Sequence, residues 1–190
     1  MDRGPTDFSG DNAAIDFSQC YDDFRIKLAD YLTNEERSFS IDENKNKFGK
    51  ALMKWNESFR AETRAQIAEA SKNCGDGIYY NFITYNYTDV LDQYVQYAKA
   101  NADLGERIVH NTRYKNQIGS IIHVHGTVNK DMVMGVDNIS QIKKPEIFEN
   151  VEAEYLDDII KVNNNRMCEE NTDVRAHNML KGSDFLYIYG

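Results

Sequence analysis

Residues 78–88 read IYYNFITYNYT, and residues 120–126 read SIIHVHG. The first run is dense in β-branched and aromatic side chains, which suit a pleated, half-buried surface, so it predicts a strand. Thr88 and Asp89 follow, and their side-chain oxygens suit the start of a helix. Val90, Leu91, Tyr94, Val95 and Ala98 then recur at helical spacing and give that helix one apolar face. The second run predicts another strand, closed by Gly126. Strand, helix, strand is the order of a layered α/β fold with a largely parallel sheet flanked by helices.

Further along, MVMGV and DFLYIYG have the same strand-forming texture. Strands over 78–86, 119–125, 131–136 and 184–189 are therefore expected to share one sheet, with functional groups at its C-terminal edge. The link TVNKD is short for a parallel crossover and suits a hairpin better. Residues 146–167 return to helical spacing through Phe148, Val151, Tyr155, Ile159 and Val162. Residues 103–117 are mixed and receive no assignment. Towards the N-terminus, Phe17, Tyr21, Phe24, Leu28 and Tyr31 mark one helix. Phe48, Leu52, Trp55, Phe59 and Ile67 mark a second, ended by Gly75 and Gly77. The expected organisation is a flexible N-terminus over 1–16, a helical subregion over 17–77 and an α/β core over 78–190. A strand that stops at Gly190, where such folds continue into a loop and helix, leads to the expectation of a core truncated at its C-terminus.

Composition narrows the function classes. With 41% hydrophobic residues in 190, the chain can bury a core. A formal net charge of −9 repels phosphate backbones and anionic lipid, so nucleic acid and membrane surfaces are not expected partners. Cys20, Cys74 and Cys168 are odd in number and widely spaced, which fits free thiols in a reducing compartment. The opening residues have no apolar signal-peptide core, and no run is long and apolar enough for a membrane helix, so a cytoplasmic location is expected. Glycine-rich phosphate loops of the G-x-G-x-x-G and P-loop kinds are absent, as are H-E-x-x-H and G-x-S-x-G.

Three clusters carry candidate chemistry. The run Thr84-Tyr85-Asn86-Tyr87-Thr88-Asp89 lies where a strand opens into a helix, whose free N–H groups favour an anionic ligand. Asn86 can donate and accept, so it suits a ribose, an amide or a base edge. The alternative is a plain turn and helix cap. In His123-Val124-His125-Gly126, strand alternation puts both imidazoles on one face. His125 at the strand end is a candidate general base, and Gly126 permits a tight turn and close ligand approach. The alternatives are a partly buried structural histidine, or a metal pair completed by a residue such as Asp137. No metal is expected. Gly135-Val136-Asp137-Asn138 is either a ligand-facing loop or a turn. Tyr79, Tyr80, Tyr85 and Tyr87 suit base stacking, or ordinary core and sheet surface.

In order, NFITYNYTDVLD, IIHVHGTV, MVMGVDN and DFLYIYG resemble the bacterial abortive-infection AbiH family, over roughly residues 17–190. That resemblance implies a part in anti-phage defence, with a phage-derived trigger or protein partner and a homo-oligomer among the expectations. The family in turn resembles sirtuin-like NAD-binding domains. By this second resemblance Asn86 contacts the ligand, and His125 is the base. Thr88, Asp89, Gly126 and Gly135 border an NAD site, and Gly190 begins a nucleotide loop. The chain departs from the family pattern in three places. It has no Gly-Asn-Gly-Phe-Asp loop before Phe17, it has Tyr85 where Phe is usual, and it lacks the His-Ser after Gly190.

The reading that follows is a defence protein whose complete form binds or cleaves NAD. Its rivals are a non-enzymatic sensing or protein-interaction module that docks through the first two helices, and a metal-dependent hydrolase using His123 and His125.

Overall fold

A computed structural model describes residues 13–72, 76–149, 153–161, 163 and 171–188. Helix α1 spans Ala13–Ser38, α2 Lys45–Met53 and α3 Ala61–Ala70. Strand β1 (Tyr79–Thr84) leads into α4 (Val90–Asn101), followed by β2 (Glu106–Val109), β3 (Thr112–Lys115) and β4 (Gln117–His123). Short 3-10 turns at Ile139–Gln141 and Pro145–Phe148 precede α5 (Ala153–Asp157), and α6 covers Thr172–Lys181. The class is mixed α/β, as the sequence predicts.

β1 pairs with β4. The Gln117 N–H donates to the Ile78 carbonyl, and the Val124 N–H donates to the Thr84 carbonyl. Both partners advance together along the chain, so the pairing is parallel. This strand–α4–strand order realises the expected crossover. The sheet is smaller than expected, because residues 131–136 and 184–188 form no ladder strand. Val136 makes only an isolated parallel bridge to Ile160. In residues 185–188, Leu186 and Ile188 are 64% and 83% exposed, so strand-forming composition there is not matched by a buried face.

Contacts divide the chain into two compact units, and the division cuts across the change of texture at Ile78. One unit holds Ser38–Ile83 and Asp89–Ile121. In it, α2 packs on α4, with Phe48 against both Phe82 and Tyr94 at ring separations of 5.9 and 5.6 Å. Val95 and Ala98 are buried on the face of α4 that its apolar spacing marks. Full burial of a side chain like Val95 stabilises by about 1.5–3 kcal/mol. Asn116 closes this unit by accepting from the Ile78 N–H and donating to the Leu104 carbonyl, at 2.8 and 2.9 Å. The single helix expected over 48–67 is broken. Trp55 and Phe59 lie in turns between α2 and α3, their rings packed edge to face at 5.8 Å.

The unassigned stretch 103–117 forms an antiparallel hairpin, β2–β3, in register from Glu106↔Lys115 to Val109↔Thr112. His110 and Asn111 make its two-residue turn, with φ of 46° and 63°. Positive φ at both central residues is the type I′ arrangement that matches strand twist.

The other unit comprises Met1–Arg37, Thr84–Thr88 and Ile122–Gly190. Its core gathers Ala14, Phe148 and Ile159, with Phe17, Val136 and Tyr155 packed around them. Phe17 meets Phe148 edge to face at 5.8 Å. Within the expected helix 146–167, Phe148 ends a 3-10 turn begun by Pro145, and the following helical segment is the short α5. Proline, with its fixed φ and no N–H needed at that place, suits the first position of that turn. Residues 1–12, Cys74, Cys168, Tyr189 and Gly190 lie outside the described residues.

Candidate functional site at the ends of β1 and β4

Thr84 ends β1 and is buried, and its hydroxyl oxygen accepts the Asn86 N–H at 3.1 Å. This local bond turns the chain out of the strand, the usual use of a threonine hydroxyl at such a point. Asn86 itself is exposed. Its carbonyl oxygen lies 3.1 Å from Nδ1 of His123, the last residue of β4. A carbonyl can only accept, so this contact assigns the proton to Nδ1 in the neutral ring.

β4 ends at His123, and Val124 and His125 lie in a turn in which the Gly126 N–H donates to the His123 carbonyl at 3.3 Å. The alternation that would put both imidazoles on one face therefore stops before His125. The His125 ring instead packs against Tyr85, centroids 5.3 Å apart at an interplanar angle of 63°. Its Nδ1 is buried without a hydrogen-bond partner. Burial, chiefly, holds the His125 pKa below its ordinary value, and the Lys161 ammonium adds to this. Weaker pulls from Asp137 and the Val124 backbone oppose the shift. The result is an imidazole that favours its neutral form, the form able to accept a proton.

The link after His125 is a tight turn closed by an isolated antiparallel bridge between Thr127 and Lys130, with no second strand to make it a hairpin. Thr127 and Lys130 exchange N–H···O=C bonds of 2.8 and 3.0 Å, and the Val133 N–H donates to the His125 carbonyl at 2.8 Å. Gly126 has φ +67°, and a Cβ there would collide with the Asp131 carbonyl. Gly135 has φ +122°, and a Cβ there would collide with the Ile159 carbonyl. Close backbone approach within the fold thus requires both glycines.

Asn86, Thr88, His125, Gly126 and Gly135 all belong to this one unit, and Asn86 and His125 follow directly on neighbouring parallel strands. Asp89 is counted with the other unit. It occupies the N-cap position of α4, but its side chain makes no capping hydrogen bond, contrary to expectation. Gly190 lies outside the described residues.

Three further residues brace the segments around the site: Tyr87, which the sequence marks only for stacking, and Thr172 and Lys161, which it does not mark. The Tyr87 hydroxyl donates to the Val133 carbonyl at 3.0 Å, and the Thr172 hydroxyl to the Val124 carbonyl at 3.0 Å. Lys161 pairs with Asp137 at 3.6 Å. Thr172 and Lys161 have no local signal.

A parallel strand pair that ends in an asparagine turn and a histidine turn, within a mixed α/β chain, defines a candidate ligand-binding α/β protein. The chain belongs to the AbiH family, described as bacteriophage abortive infection AbiH, whose sequence model matches residues 6–190. Membership implies a role in phage abortive infection. No curated protein and no solved structure matches the chain. No helix among the described residues is long and apolar enough to cross a membrane.

Proposed function

We propose that this protein binds NAD at the turns that follow β1 and β4, and that it cleaves the nicotinamide–ribose bond during abortive infection. The observation that carries this reading is the buried, unpartnered Nδ1 of His125 beside the Asn86 turn. A buried polar atom without a partner is uncommon and calls for a ligand or water. His125 and Asn86 are neutral and polar, which suits ribose hydroxyls and an amide.

In this mechanism the glycosidic bond breaks with its electron pair leaving on nicotinamide, and water supplies the hydroxyl that replaces it. The neutral His125 takes the proton from that water or from a ribose hydroxyl, and later returns it to solvent. The Asn86 amide orients the same oxygen. Tyr85 packs against the His125 ring. Loss of NAD would arrest the infected cell.

Calorimetric titration of NAD and ADP-ribose tests this. Wild type is expected to bind, and Asn86→Ala/His125→Ala to lose binding while remaining folded. Equal binding by both proteins would sink the assignment, as would no binding by wild type. Nicotinamide release is the next measurement.

A second reading is favoured by α1, whose Phe24, Ile26 and Tyr31 are 57%, 58% and 58% exposed. Such a helix suits docking to a protein partner, including a phage-derived trigger. On that reading Phe24→Ser/Tyr31→Ser abolishes phage protection, and Asn86→Ala/His125→Ala leaves it intact.

A further inference from the structure

Val124 and His125 share a peptide group, and a residue from a distant part of the chain holds it. The Thr172 hydroxyl, on the first residue of α6, donates to the Val124 carbonyl at 3.0 Å. The next peptide group is held too, because the His125 carbonyl accepts the Val133 N–H at 2.8 Å. The Val133 carbonyl in turn accepts the Tyr87 hydroxyl at 3.0 Å. The Cα of His125 is the joint between two planar groups, so their orientations fix the direction in which its imidazole leaves the backbone. Thr172, Val124, His125, Val133 and Tyr87 all belong to one unit.

The start of α6 gains no cap from this contact. Residues that open helices ordinarily turn their side-chain oxygens on the helix's own free N–H groups. Here Asn171, at the N-cap, makes no side-chain capping bond, and it stands in the left-handed region at φ 43°. That region is uncommon for a residue other than glycine. The Thr172 hydroxyl is directed away from α6, to the residue that follows β4, 48 positions earlier in the chain. A strained, uncapped helix start whose hydroxyl serves another segment points to a use outside the helix.

We propose that Thr172 is a positioning residue for His125, aiming the imidazole by holding the Val124–His125 peptide group without touching the ligand. This rests on the reading of His125 as the base of NAD cleavage. The Val124 backbone weakly favours the protonated ring, and the Thr172 hydroxyl bonds the same residue's carbonyl. With the hydroxyl gone, that carbonyl is free to accept from the protonated imidazole. The folded pKa of His125 is then expected to rise towards its ordinary value of about 6.5. The charged groups that face the ring, Lys161 and Asp137, are untouched by a change at position 172.

The test compares wild type, Thr172→Val, Thr172→Ser and Ser183→Ala in the full chain. The Ser183 hydroxyl donates to the Met179 carbonyl at 2.7 Å, so its variant removes a like bond at the opposite end of α6. The readouts are His125 ring proton shifts against pH, nicotinamide release from NAD, and thermal melting. Thr172→Val is expected to raise the His125 pKa and to slow nicotinamide turnover roughly tenfold at unchanged KM. Thr172→Ser, which keeps the donor, and Ser183→Ala are expected to match wild type in both. A pKa or a turnover left at the wild-type value in Thr172→Val, beside an active wild type, overturns this inference alone. So does a Thr172→Ser or Ser183→Ala variant as impaired as Thr172→Val, since the bond to Val124 is then not what matters. Loss of the cooperative melt in Thr172→Val makes the hydroxyl a general support of the unit and also overturns it. A wild type that releases no nicotinamide overturns the NAD reading, and the His125 titration still decides whether Thr172 holds the ring.

Discussion

His123 Nδ1 lies 3.1 Å from the Asn86 carbonyl oxygen, so the last residue of β4 bonds the turn that leaves β1. Side chain and backbone thereby tie together the ends of neighbouring parallel strands. The bond makes Nδ1 the protonated nitrogen in neutral His123. Nitrogen-15 shifts of the neutral imidazole are expected to report that tautomer. His123→Ala is expected to lower unfolding stability by about 1 kcal/mol, the usual net value of one hydrogen bond. A protonated Nε2 with a bare Nδ1 would contradict the contact.

Acid should act through His125. Its folded pKa lies below the ordinary value, chiefly through burial. Above about pH 6.5 the ring is neutral in both states and its contribution to stability is fully present. As pH falls from there through the lower folded pKa, the unfolded chain takes the proton first and stability is lost. Denaturant unfolding at pH 7.5 and 5.5 is expected to cost wild type more than His125→Gln. Equal losses would mean that His125 titrates alike in both states.

Gly126 and Gly135 should resist substitution for backbone reasons. Each combines positive φ with a carbonyl where Cβ would stand. Gly126→Ala and Gly135→Ala are each expected to cost roughly 2 kcal/mol or more. Gly182 makes the comparison, since a Cβ there meets its nearest atom at 3.5 Å. Denaturation midpoints that rank all three alanine variants together would contradict the clashes.

Val95 is 1% exposed on α4. Val95→Ala is expected to lose roughly 2 kcal/mol through lost burial and the cavity left behind. Exposed Gln96 on the same helix provides the control, and Gln96→Ala is expected to change stability by less than about 0.5 kcal/mol. A similar small change for both would place the unit's core elsewhere.

What the sequence disclosed depended on whether a signal was local. β1 and β4 are legible because residues 79–84 and 117–123 concentrate strand-forming side chains, and α4 because its apolar residues recur at helical spacing. The β2–β3 hairpin is hidden because His110-Asn111 lacks the glycine that usually marks a type I′ turn, and its strands are largely polar. Residues 131–136 and 184–188 mislead in the opposite sense. Strand propensity describes a residue's fit to a pleated surface and does not supply the neighbouring strand. At the site, the Asn86 and His125 positions follow from motif and strand order. The Thr172 hydroxyl, which bonds the Val124 carbonyl, enters from a distant part of the chain, and no pattern near it announces it.

The exposed aliphatic run near the C-terminus has a colloidal consequence. Leu186 and Ile188, within FLYI, face solvent on a segment outside any ladder. Short sequences of that kind are templates for cross-β stacking when copies meet. The chain's net charge of −9 opposes such meetings over a Debye length, about 10 Å at 0.1 M salt and about 3 Å at 1 M. Concentrated stocks of this protein should therefore scatter more light as salt is raised, and substituting Ile188 with lysine should keep them clear.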